Sequence, residues 1–200
     1  MIIDETYFTG KLNIPNVQQA PVNTNLVSNN SILDRIIKEY SFKYLSDVFG
    51  VIVAKDILSK VDSTGAIIPG TDQKYIDLIE GNGSNWLGLR YEVNGVKYSQ
   101  IANYCYCQYL NETETKLTNI GNTIDESEKG KILSSWNKFN EAWREMFVMR
   151  QPKWFEVYGY PYYDYTLEVD VKNLYDYITD SPDWDNKYFK MYENTNKFGL

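Results

Sequence analysis

Ser99-Gln-Ile-Ala-Asn-Tyr-Cys-Tyr-Cys-Gln-Tyr-Leu110 decides the fold. A serine stands at the cap position, where its hydroxyl can accept from free backbone N–H groups. Behind it runs a helix-like segment dense in aromatic rings, built for packing and without obvious chemistry. A polar excursion from Asn111 to Gly130 follows. It contains Thr115-Lys-Leu-Thr-Asn-Ile-Gly-Asn-Thr-Ile124, expected to be extended with a turn at Gly121. Asp125-Glu-Ser-Glu128 then places negative charge where a new helix dipole would begin. In that helix Ile132, Trp136, Phe139, Trp143, Met146 and Phe147 form an apolar stripe, and Pro152 stops it.

Upstream, Ser31-Ile-Leu-Asp34 resembles a capping box with Asp in place of Glu. Ile32, Leu33, Ile36, Ile37, Tyr40, Tyr44, Leu45, Val48 and Phe49 recur at helical spacing, with Lys38, Glu39, Lys43 and Asp47 on the other face. Gly50 is expected to end or bend this helix, and a second stretch runs from Val51 to about Lys60. Thr71 or Asp72 caps a short helix to Glu80, with Tyr75, Ile76 and Ile79 on its apolar side. Leu87, Leu89, Tyr91 and Val93 alternate with Gly88, Arg90 and Glu92 before Asn94-Gly95, the strongest short hairpin signal. The expected architecture is therefore mainly α. Residues 1–30 form an N-terminal arm, and 31–150 a helical domain with a hairpin at 86–98. Residues 151–200 form a tyrosine-rich C-terminal extension that leaves the domain folded when cut away after Gln151. Within the extension, Asp170 to Ile178 reads as a short helix and Ser181-Pro-Asp-Trp-Asp185 as a turn.

Composition narrows the chemistry. The 200 residues suit one domain with extensions, and 43% hydrophobic residues suffice for a core. Histidine is absent, which removes Ser-His and Cys-His nucleophile systems and His-bearing zinc sites. The net charge of −7 argues against a dedicated nucleic-acid binder, though not against a protein that surrounds DNA without gripping it. Cys105 and Cys107 stand about 200° apart on a helix, so they neither bridge nor share a metal, and read as buried free thiols. No signal peptide and no membrane-length apolar run is expected.

Three patterns bear on catalysis or metal binding. Asp164, Glu168, Asp170 and Lys172 could form the acidic-x-Lys set of a metal-dependent nuclease, but three-residue patterns of this kind arise by chance and read as a solvated strand or turn. Asp180, Asp183 and Asp185 lack the glycine and distal glutamate of a calcium loop. Gly81-Asn-Gly-Ser-Asn-Trp-Leu-Gly88 lacks the Gly-Lys-Ser/Thr ending of a phosphate loop, so its glycines shape the approach to the hairpin. The 18 tyrosines, nine of them after residue 150, suit half-buried surfaces and subunit contacts.

The order of segments resembles a known family. A first helix reads Ile-x₃-Ile-x₃-Tyr-x₃-Tyr-Leu-x₃-Phe-Gly from Ile32 and closes on Gly50, and a short helix covers Lys74 to Gly81. Trp86-Leu-Gly-Leu, Ile101-Ala-Asn-Tyr-x₄-Tyr-Leu110 and Thr115 to Gly121 then precede an amphipathic helix from Glu126. Over residues 32–149 this is similar to the head–tail connector (adaptor, or head-completion) proteins of tailed bacteriophages, nearest those of crAss-like phages infecting Bacteroidetes and related prophages. The resemblance implies a homo-oligomeric ring, usually twelve-fold, between the portal protein and the next neck or tail component. Made in the host cytoplasm, it would sit in the virion and extend the channel for double-stranded DNA. It brings no catalytic residues, no cofactor and no membrane. Trp154, Tyr158, Tyr160, Tyr162, Tyr163, Tyr165 and Trp184 are the expected contact residues. Another neck or tail-completion protein is the alternative within the virion; the metal-dependent nuclease is the alternative outside it.

Overall fold

The computed structural model describes residues 1–14, 29–83, 85–114, 116–118, 121–123, 129–150, 163–164 and 169–185. Among them are six α-helices: α1 (Asn29–Phe49), α2 (Val51–Ser59), α3 (Gln73–Glu80), α4 (Gln100–Glu114), α5 (Lys129–Arg150) and α6 (Leu174–Asp180). Six short strands pair two by two: β1 (Arg90–Val93) with β2 (Val96–Ser99), β3 (Lys116–Thr118) with β4 (Gly121–Thr123), and β5 (Tyr163–Asp164) with β6 (Val169–Asp170). The protein is mainly helical with a small antiparallel hairpin, as its periodicities require. No helix among the described residues is long and apolar enough to cross a membrane.

The centre is α4, packed between α1 and α5. Ser99 Oγ accepts from the backbone N–H of Ile101 at 3.1 Å and Ala102 at 3.4 Å, which makes it the working N-cap. Ile101 to Cys107 are buried without interruption, because helices cover α4 on two sides. Its rings meet α1, where Tyr104 lies 5.4 Å from Tyr44 and 6.2 Å from Tyr40, centroid to centroid. Polar tips close the seam: Tyr44 Oη donates to Gln100 Oε1 at 2.6 Å, and Tyr40 Oη donates to Glu112 Oε1 at 2.8 Å. Glu112 also pairs with Arg35 of α1. Both cysteines are buried free thiols.

Some boundaries differ from the sequence expectation. Helix α1 begins at Asn29, so Ser31 lies inside its first turn and is not the cap. Asp72 occupies the N-cap position of α3 without a side-chain bond to the helix. In α5 the best-buried face runs through Ala142, Met146 and Met149, spaced i, i+4, i+7, while Phe139 and Trp143 stack at 5.9 Å on its flank. The side chain of Ile132 lies outside the described residues, as does Asp125 to Glu128. Helix α6 starts at Leu174 and not Asp170, because Val169–Asp170 is a strand and Asn173 caps the helix by accepting from Asp176 N at 2.8 Å.

Segments on both sides of residues 31–150 supply core. Ile2, Ile3, Tyr7, Phe8, Leu12 and Ile14 are buried in the same cluster as α1 and α4, so the first half of the expected arm is seated on the domain. Arg90 fixes it by donating to Ile2 O at 2.7 Å, and Lys11 pairs with Glu145 at 2.7 Å. Leu174, Tyr177 and Ile178 of α6 belong to that cluster too, with Tyr177 stacked 4.9 Å from Trp86. Cutting the chain after Gln151 therefore removes core, and would not leave an intact domain.

Two turns explain how α3 and the hairpin meet. Gly81 (φ +91°) and Gly88 (φ +102°) lie where two backbones cross: a Cβ on Gly88 would stand 2.6 Å from Ile79 O. The crossing lets Leu89 N donate to Leu78 O at 3.0 Å. Asn94 (φ +53°) and Gly95 (φ +77°) then make the tight turn between β1 and β2, matching the twist of the paired strands.

Candidate functional site

The described residue that joins the sequence's contact candidates to a defined concavity is Trp184. The corner where α1 passes into α2 at Gly50, the outer face of α3 and the chain after α6 enclose a cleft of about 220 Å³. Its apolar walls are Phe49, Val53, Tyr75, Ile178 and Trp184. Trp184 lies 6.1 Å from the Phe49 ring and edge-on to Tyr75 at 5.5 Å. Lys74 lies over both rings, 5.1 Å from Tyr75 and 5.5 Å from Trp184. Asp183 and Asp185 form the acidic rim, both exposed.

Charge and hydrogen bonding hold one wall in place. Tyr75 Oη donates to Asp56 Oδ2, and Asp56 pairs with Lys60 at 3.0 Å. Lys60 also stands 4.9 Å from the Tyr75 ring centroid. Burial and then the bond to the Asp56 carboxylate push the Tyr75 phenol up to about 12. That bond, with Lys60, holds the Asp56 carboxyl below its ordinary value. The phenol is thus a fixed donor at neutral pH, which suits a structural role better than proton transfer.

A second cleft of about 420 Å³ lies between the N-terminal segment, the loop at 64–66 and the outer side of the β1–β2 hairpin. Its basic groups are already engaged: Arg90 with Glu80 and Ile2 O, Lys97 with Thr6 at 2.7 Å. It is a clasp for residues 1–7.

Of the other expected site residues, the described ones fall on or just after the β5–β6 pair. Lys172 pairs with Asp180 at 2.8 Å, and its backbone N–H donates to Asn85 O at 2.7 Å. Asp164 and Asp170 lie on paired strands, opposite Val169 and Tyr163 respectively, while Glu168 lies outside the described residues. Among the described residues no group of three or more His, Cys, Asp or Glu side chains could hold a metal ion. Tyr163 has a described backbone in β5; Trp154, Tyr158, Tyr160, Tyr162 and Tyr165 lie outside the described residues.

With this geometry in hand, the chain was compared with protein-family models, curated proteins and solved structures. None of the three matches it. The reading of function therefore rests on the residues themselves. Phe49, Lys74 and Tyr75 were not singled out by the sequence as site residues, because each fits the apolar stripe or polar face of its own helix. Val51-Ile52-Val53 directly after Gly50 was the available signal: three β-branched residues in the first turn of a helix exceed what one buried face can use.

Proposed function

We propose that this chain is a structural connector of a tailed-phage virion, assembling as a ring between portal and tail and extending the DNA channel. The observation that carries this reading is the order of elements. A first helix closing on Gly50, a short α3, a hairpin, the buried α4 and the long α5 follow one another as the resemblance requires. Packing residues make up that order, so its selection is for shape. Repeated head-to-tail contacts that close on themselves give a ring. A net charge of −7 keeps the walls of such a channel from sticking to double-stranded DNA, which passes by sequence-blind contact.

Electron microscopy of the purified full chain, alone and with the portal protein of its own phage, tests this. The expected result is closed rings of one size with an axial opening. Particles of monomer size in both samples would remove the reading. A divalent-metal digestion assay on wild type and Asp170→Asn tests the nuclease alternative. Activity lost with the carboxylate would put that alternative in place of the ring.

A further inference from the structure

Beside the Trp184 cleft stands an apolar knob. Ile52 is 85% exposed and Val51 51% exposed, at the start of α2. They lie between Phe49 and Val53, which wall the cleft, so knob and cleft share one corner of the fold. Isolated exposed aliphatics are ordinary, but two next to an aromatic hollow make a contiguous apolar surface. The cleft, at about 220 Å³, is smaller than the ~300–1,000 Å³ of small-molecule pockets, and its size suits a single side chain.

The charges flanking the two features match. Lys55 is exposed and follows Ile52 by three residues, so it lies on the same face of α2. Asp183 is exposed on the rim of the cleft. Neither joins an ion pair among the described residues. Two copies of a chain with net charge −7 repel each other at long range, so a lysine set beside the knob and an aspartate beside the hollow have an evident use.

We infer that the Trp184 cleft receives Ile52 of a second copy of this chain, with Lys55 of that copy meeting Asp183. Because knob and cleft sit side by side, the contact is reciprocal: each copy gives its Ile52 and receives the other's, the arrangement of a two-fold interface. The aromatic walls provide the buried anchor and the charges set the register. This pairing is separate from the ring, which needs head-to-tail contacts on other surfaces.

Sedimentation of the full chain over a concentration series tests it. The wild type is expected to associate reversibly. Ile52→Asp should lower the association constant by at least about tenfold while melting and circular dichroism stay unchanged, since the side chain is exposed. Lys55→Glu should weaken association about two- to fivefold, and adding Asp183→Lys should restore it. A wild type that stays monomeric, an Ile52→Asp chain that associates like wild type, or a charge swap that weakens further would each overturn the inference. Rings whose pairing with one another is unchanged by Ile52→Asp overturn the pairing and leave the ring standing. Pairs that depend on Ile52, without rings, do the reverse.

Discussion

The same chemical deletion at two isoleucines should have opposite consequences. Ile178 is 2% exposed in α6, and Ile52 is 85% exposed in α2. Ile→Ala removes three carbons. At about 0.8 kcal/mol for each buried methylene-sized group, the transfer loss at Ile178 is about 2.4 kcal/mol. Ile178 belongs to the main core cluster with Leu174 and Tyr177, so part of the emptied volume persists and the total reaches about 3–4 kcal/mol. For a domain of this size that lowers Tm by roughly 6–16 °C. At Ile52 the covered fraction of the side chain is small, and alanine's better helix propensity offsets it, so the change stays within about 0.5 kcal/mol. Urea and thermal unfolding in dilute solution, followed by circular dichroism, measure both. A loss below about 1 kcal/mol for Ile178→Ala would show that α6 does not contribute to the core and would return residues 171–185 to the status of an appendage.

Other expectations follow from particular side chains. Gly88→Ala must move backbone 2.6 Å away and adopt φ +102°, and should cost at least about 2–3 kcal/mol; Gly83→Ala, with open space and φ +70°, should cost about 1 kcal/mol, both read by urea unfolding. Burial raises the Cys105 thiol to about 12 and pushes Cys107 up as well, so a thiol reagent should label the native chain only at its opening rate; fast labelling of either would contradict their burial. Tyr40 and Tyr75 are both raised from 10.0 to about 12, so above pH 10 the unfolded chain loses these protons first. Their contribution to stability is full below pH 10 and is lost between pH 10 and 12. Tm should fall across that window, and less steeply in Tyr75→Phe. An unchanged slope in that variant would mean that Tyr75 titrates normally.

Much of the helical frame was legible because its signals are local. Ser99 before Ile101, Gly50 after Phe49 and Asn94-Gly95 between alternating residues each work through neighbours a few positions away. What escaped was everything assembled at a distance. Ile2, Ile3, Phe8 and Ile14 have no period, and they are buried because Arg90, far along the chain, grips the Ile2 carbonyl. Leu174 and Ile178 occupy a helix of only seven residues whose burial depends on long-range contacts. The Trp184 cleft joins residues 49, 75, 178 and 184, none of which announces the others. Trp184 itself was expected as a contact residue, and the rings that hold it follow only from the fold.

The central claim is that these side chains fit against sister copies. Electron micrographs of the purified full chain test it most directly. The account predicts closed rings of uniform diameter with a central opening. A field of single compact particles at every protein concentration, with the portal protein present or absent, would contradict it.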